Sequence, residues 1–213
     1  MNSIQGSEKW FQDRCGKITA SEIYKLGMSG RTKGSESKTK IDYLWKKAIE
    51  ICTGVAIEDG ARGEHIERGH DMEDAARLLY ESRRKVKVEE VGMIEHPTLK
   101  MAGASPDGLV GDDGLVEIKC KKPENHIQCV LSGEIPKEHR EQMQWQMACT
   151  GRKWCDYVQF CADVPKNIQL VVIRVERDDE FIKVQEERVE NAIITIAEYV
   201  DEILNFKGDR YEV

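Results

Sequence analysis

No stretch of about eighteen apolar residues occurs in the 213-residue chain, so the sequence offers no helix able to span a bilayer. The opening MNSIQGSEKWFQDR also lacks an apolar signal-peptide core. Together these absences predict a soluble protein of the cytoplasm with no membrane partner. Internal repeats and long low-complexity tracts are missing too. A chain of this length predicts one domain, residues 1–213, able to bury a core without disulfide or metal staples.

Metal-binding patterns are sparse. His65, His70, His96, His126 and His139 show no zinc spacing with cysteine, and no H-E-x-x-H occurs. The seven cysteines are odd in number and follow no pairing pattern, which predicts reduced thiols. Cys149, Cys155 and Cys161 are evenly spaced, but an iron–sulfur cluster needs a fourth thiolate near them. An excess of positive charge is lacking as well: the formal net charge is −7, opposite in sign to most nucleic-acid-binding chains. A net sum does not exclude a local basic track, and Arg31–Lys40, Arg83-Arg84-Lys85 and Lys119 with Lys121 and Lys122 are candidate pieces of one.

What is present begins with a capping-box sequence, Thr19-Ala20-Ser21-Glu22, expected to open a short helix. A loop-like island follows over Gly27–Lys40. Helical spacing then covers Ile41–Cys52 through Leu44, Trp45, Ala48 and Ile49. A second helix is expected over Glu64–Ser82, with Ile66, Met72, Ala75, Ala76 and Leu79 inward. Strands are expected over Val86–Ile94, Lys100–Ala104, Trp154–Cys161 and Gln169–Val175. A helix after Pro136 runs over Lys137–Cys149 to Gly151, and an amphipathic helix closes the chain over Asp178–Phe206. The order predicts an α/β or α+β layer fold, a central mixed sheet flanked by helices.

One segment, GASPDGLVGDDGLVEIKC at Gly103–Cys120, breaks the apolar pattern of a buried hairpin with three charges. Gly111-Asp112-Asp113-Gly114 is turn chemistry, and folding about it sets Asp107 roughly opposite Glu117. Alternation along the second strand turns Glu117 and Lys119 to one face, Val116 and Ile118 to the other. Two carboxylates held close repel each other and lose hydration. A hard divalent cation removes both penalties, and Mg²⁺ favours one or two carboxylates with water and phosphate completing its shell. Pro-Asp, nine residues, then Glu-x-Lys has the form of a PD-(D/E)xK nuclease motif. The bland alternative is a surface hairpin with a Glu117–Lys119 ion pair.

Other polar residues could join this trio. Glu73, between Asp71 and Asp74, lies on the second long helix, where three acids equally describe a solvated face. Gln142 and Gln146 share a helix face, with Gln144 between them, and are either amides reaching a phosphate or exposed helix formers. Arg14 and Ser21, close to a helix start, could bind a terminal phosphate.

Taken in order, WFQDRCGKITASEI, ICTGVA, ERGHDMEDAARLLYE, ASPDG, LVEIKC and EQMQWQM resemble the bacteriophage lambda exonuclease family of phage recombination nucleases over most of the chain. The resemblance implies a restriction-endonuclease-like PD-(D/E)xK core. It implies that Asp107, Glu117 and the carbonyl of Ile118 hold Mg²⁺, one or two ions per site with Mn²⁺ as a substitute, that Lys119 positions or deprotonates the water, and that Glu73 supports a second ion. Arg14, Ser21, Ser105 and Gln142 match residues that hold a 5′-phosphate. Family members are ring-shaped trimers that digest one strand of double-stranded DNA from its 5′ end to mononucleotides. They leave a 3′ overhang for a single-strand annealing recombinase, in the cytoplasm of a phage-bearing bacterium. Lys122–Ile135 does not match clearly. A structure-specific endonuclease of the same superfamily, or an inactive DNA-binding scaffold, are the competing readings.

Overall fold

The computed structural model describes residues 4–32, 34–57 and 64–208, and of residues 64–71 the backbone alone. In chain order the elements are α1 (Glu8–Arg14), β1 (Ile18–Thr19), a 3₁₀ helix (Ala20–Gly27), α2 (Lys38–Thr53), α3 (Glu64–Arg84), β2 (Val88–Glu89), β3 (Ile94–Glu95), β4 (Ala102–Ala104), β5 (Gly108–Val110) and β6 (Gly114–Cys120). Then come α4 (Pro123–Ser132), α5 (Lys137–Thr150), β7 (Trp154–Phe160), a 3₁₀ turn (Lys166–Ile168), β8 (Leu170–Glu176) and α6 (Asp179–Asn205).

The hairpin forms the middle of a five-stranded sheet in the order β2-β5-β6-β7-β8. Gly108 pairs with Val116 and Val110 with Gly114, so continuing the register by one residue sets Asp107 opposite Glu117. Strands β6 and β7 run parallel, joined by the crossover through α4 and α5, while the other neighbours are antiparallel. A small second sheet, β1-β4-β3, ties the N-terminal segment to the start of the hairpin through Ile18↔Ala102.

The β6 alternation sorts the core into two. Leu115 joins the larger cluster, with Ile23, Leu44, Met143, Trp145, Tyr157 and Val189 contributed by the 3₁₀ helix, α2, α5, β7 and α6. Val116 and Ile118 join a smaller cluster with Ala76 and Tyr80 of α3 and Val158 and Phe160 of β7. Helix α5 is buried without interruption from Glu141 to Cys149, because the sheet lies on one side of it and α6 and the 3₁₀ helix on the other. Gly151 closes it in the left-handed conformation that glycine adopts at little cost.

Several expectations need correction. The strand expected over Val86–Ile94 is two short strands in different sheets, since the chain crosses from β2 to β3 around Gly92. Thr19-Ala20-Ser21-Glu22 opens a 3₁₀ helix with no side-chain cap, and Glu22 pairs with Lys25 at 2.7 Å instead. Ala75 is exposed, and Tyr80 fills the position facing the sheet. The inward position expected of Ile66 lies outside the described side chains. Ile49 is 40% exposed, whereas Lys47 and Glu50 of the same helix are buried as an ion pair of 2.9 Å. A binary apolar/polar reading puts such residues outside; here Glu50 also accepts from the backbone N–H groups of Gly16 and Ile57, which fixes the loops around α2. Helices α1 and α4 were not anticipated.

Candidate active site

Asp107, Glu117 and Lys119 meet at the open end of the hairpin. The Asp107 Oδ2 accepts the Ile118 N–H at 2.6 Å, which locks that carboxylate against β6. Glu117 is 1% exposed, an extreme position for a carboxylate. Its charge is held by three donors: Gln142 Nε2 on Oε1 at 2.7 Å, Gln146 Nε2 on Oε2 at 2.5 Å, and the Lys119 ammonium on Oε1. The two glutamines are one α5 turn apart and so reach the same residue. Neither is an exposed helix former, the bland alternative of the sequence. Gln144 points elsewhere, donating to the Glu176 carbonyl at 2.8 Å.

Burial, and next the neighbouring Glu117 charge, push the Asp107 carboxyl well above the usual carboxylate range; Lys119 only partly offsets them. Burial works against the Lys119 ammonium, yet Glu117 and Asp107 overcome it and raise its pKa. An all-oxygen corner with surplus negative charge fits a hard divalent cation. The available donors are the Asp107 and Glu117 carboxylates and the Ile118 carbonyl. Among the described residues no three His, Cys, Asp or Glu side chains cluster as ligands. Glu73 acts on Asp107 through its charge, while its Oε1 lies 3.6 Å from Arg77 of the same helix. Its neighbour Asp71 lies outside the described side chains.

A second cluster lies two residues upstream of Asp107. Arg14, at the end of α1, donates to Ser105 Oγ and Ser21 Oγ, each at 3.2 Å. Its guanidinium rests 4.1 Å from the centroid of the Trp10 ring, and Trp10 Nε1 donates to the same Ser105 hydroxyl at 3.1 Å. Burial lowers the Arg14 pKa, while Glu22, Tyr43, Glu50 and Glu117 counter that. Arg14, Ser21 and Ser105, 91 positions apart at the extremes, are thus brought together. Gln142 stands with Glu117 instead of within that cluster.

Trp10 and His139 are the neighbours that the sequence alone did not place. Trp10 and Arg14 sit one turn apart on α1, a signal available once α1 is seen as a helix. His139 stacks on Tyr157, centroids 5.7 Å apart, and interacts with the Gln142 side chain. Burial and then the Lys119 and Lys121 charges lower its pKa to about 3. Past the Lys119 end of β6 a cavity of about 360 Å³ is lined by Met72, Cys120, Lys121, Lys122 and Phe160, and Lys121 is near enough for the Lys119 charge, after burial, to lower its pKa. Arg83 donates to the Leu170 carbonyl, and Arg84 approaches the buried Asp156 at 4.0 Å.

Fold and site together define a deoxyribonuclease of the PD-(D/E)xK class, with the acid, acid and lysine of the motif all in place. Residues 9–153 match the model of the YqaJ-like viral recombinase domain. The chain belongs to this lambda-exonuclease-like family. It is similar to the alkaline exonuclease LHK-Exo from Laribacter hongkongensis, at 36% identity over 92% of this chain and 96% of that one, with a TM-score of 0.84. A structure of the same relative in complex with dAMP superposes with a TM-score of 0.83 at 37% identity, over 92% and 96% of the two chains. A phage related exonuclease from Haemophilus somnus 129PT shares the fold at 16% identity, covering 88% of this chain and 95% of that one, TM-score 0.65. Curated protein sequences include no match.

Proposed function

We propose that the protein is a Mg²⁺-dependent exonuclease that digests one strand of linear double-stranded DNA from the 5′ end. It releases mononucleotides and leaves a 3′ overhang. The observation that carries this reading is the Arg14–Ser105 contact, because Ser105 lies two residues, about 7 Å of extended chain, before Asp107. An anion pocket at that spacing from the carboxylates suits a terminal phosphate beside the bond to be cut.

Asp107, Glu117 and the Ile118 carbonyl would hold Mg²⁺, or Mn²⁺ in its place. When bound, such an ion supplies Lewis-acid stabilisation of charge on the scissile phosphate. Lys119 orients the attacking water by donating to it, and its positive charge favours the crowded phosphate oxygens. Arg14 offers a fork of N–H donors to the 5′-phosphate, with Ser21 and Ser105 completing the cradle. The Gln142 amide nitrogen carries a second N–H beyond the one given to Glu117, so it can bridge the carboxylate and the phosphate pocket. Glu73 adds negative charge near Asp107, which would support a second ion. The dAMP held by the L. hongkongensis relative is a mononucleotide of the kind this reaction would release.

In the cell the reading extends to a ring-shaped homotrimer in the cytoplasm of a phage-bearing bacterium, passing its overhang to a single-strand annealing recombinase. Enclosure of the duplex would explain how a chain of net charge −7 stays on DNA without a broad basic surface. Timed digestion of end-labelled linear and closed circular duplex, with Mg²⁺ and with chelator, tests the reaction. The linear substrate should shorten from its 5′ ends only with Mg²⁺, the circle should persist, and Lys119→Ala should stop digestion while retaining the fold. Cleavage of the circle would show an endonuclease, and no Mg²⁺-dependent release an inactive scaffold.

A further inference from the structure

Arg14 ends α1, and the turn that follows decides where its side chain can reach. The Cys15 N–H returns to the Gln12 carbonyl and the Lys17 N–H to the Arg14 carbonyl, each at 3.1 Å, so the chain bends sharply before Ile18 enters β1. Between them Gly16 gives its N–H to Glu50 Oε2 of α2 at 2.9 Å, and a Cβ on Gly16 would lie 2.7 Å from Ile51 Cγ1. The Cys15 thiol approaches the Glu50 carbonyl at 3.6 Å. The turn behind Arg14 is therefore seated on α2, with the Glu50 carboxylate as its anchor.

That carboxylate is itself fixed from two sides. Its Oε1 accepts the Ile57 N–H at 3.0 Å, and Lys47, one turn earlier on α2, donates to Oε2 at 2.9 Å. The same ammonium lies 3.9 Å from Glu22 Oε2, and Glu22 follows Ser21, whose hydroxyl accepts from Arg14 Nη2. Lys47 thus ties both walls of the Arg14 cluster, the turn at Gly16 and the start of the 3₁₀ helix at Ser21, to one buried point. Lys47 and Glu50 are only 4% and 3% exposed. Stability alone does not call for charges there, because a buried ion pair gains little over apolar side chains of similar volume. Directional hydrogen bonds to Gly16 and Ile57 do call for them.

We infer that Lys47 and Glu50 are positioning residues, which hold the Gly16 turn and Ser21 at the separation that lets Arg14 and Ser21 grip one phosphate, and so set the preference for 5′-phosphorylated ends. The inference rests on the reading of the Arg14 cluster as a phosphate pocket, and adds to it two residues too buried to reach the substrate.

The test is the ratio of digestion rates on linear duplexes with 5′-phosphate and with 5′-hydroxyl ends. Lys47→Met with Glu50→Met removes both charges at nearly constant volume and leaves the local charge sum unchanged, so its effect reports geometry. The ratio should fall about tenfold, within the roughly hundredfold that a misplacement of about 1 Å can cost, while the rate on 5′-hydroxyl ends stays within about twofold of wild type. Residues that merely held the fold together would lower both rates alike. Lys47→Met with Glu50→Gln, which returns an acceptor for an N–H, should recover part of the ratio. In an Arg14→Ala background the methionine pair should add no further loss, because the residue it acts through is gone. Should the methionine pair not fold by circular dichroism, Glu50→Asp, which keeps the charge and shortens its reach by one methylene, carries the same expectation. A wild-type ratio in the folded variant, or an equal loss on both kinds of end, overturns the role of the pair alone while Arg14→Ala still abolishes the preference. A wild-type protein without the preference, or one that keeps it in Arg14→Ala, overturns the phosphate pocket and the inference with it.

Discussion

Asp107 carries a conflict that only its function explains. A buried carboxyl whose proton affinity is raised by desolvation and by Glu117 binds more protons in the native state than in the unfolded chain. Stability therefore falls as pH rises from the unfolded carboxylate value through the raised native one. Removing the charge should relieve this: metal-free Asp107→Asn should melt higher than wild type at about pH 8, with the difference shrinking towards about pH 4, and should digest no DNA. Thermal melts at the two pH values check it, and a constant difference would refute the sign. Arg14 should behave differently, since in the proposed function it takes the 5′-phosphate instead of facing a like charge. Arg14→Ala should cut the rate on 5′-phosphorylated duplex about tenfold to a hundredfold, the worth of a charged hydrogen bond, and bring it to the rate on 5′-hydroxyl ends. Equal wild-type rates on both ends would remove the pocket.

At the scale of elements, the site depends on the β5–β6 hairpin keeping its register. Gly114 pairs with Val110 on one side and Trp154 on the other, and a Cβ there would lie 2.1 Å from the Trp154 ring. The ring is pinned by the Arg174 guanidinium 3.6 Å from its centroid, which is itself tied to Asp156 by two hydrogen bonds. Gly114→Ala should thus cost about 1–3 kcal/mol in urea unfolding and lower nuclease activity, since strain in β6 displaces Glu117. A change within about 0.5 kcal/mol would mean that the ring moves freely. Much of this element was legible beforehand, because turn chemistry and alternation are local. The glutamine helix was legible only in part: the shared face of Gln142 and Gln146 left open whether they reach inward or lie exposed, and it is the buried carboxylate on the facing strand that takes both amides.

For the whole molecule, the question is how an acidic chain works along DNA. Among the described residues no helix is long and apolar enough to cross a membrane, and of the basic pieces of the sequence Lys38 pairs with Asp42 and Lys40 with Glu36. If retention comes from enclosure, the native mass should be three times that of the chain, and digestion already under way should continue when excess competitor DNA is added. Native mass spectrometry and a competitor-challenged digestion check both. A fully active monomer that leaves its substrate at once would overturn the ring.

By itself the sequence determined the hairpin, the mixed α/β layers and the acid, acid and lysine set, because strand alternation, turn residues and short motifs are encoded within a few positions of one another. Only the tertiary structure decided that Arg14 meets Ser105, that Glu117 is buried beneath two glutamines, that Lys47 and Glu50 pair inside the core, and that His139 stacks on Tyr157. Those depend on contacts between distant segments and on buried polar groups finding partners, and a one-dimensional pattern that sorts residues into inward apolar and outward polar carries no record of either.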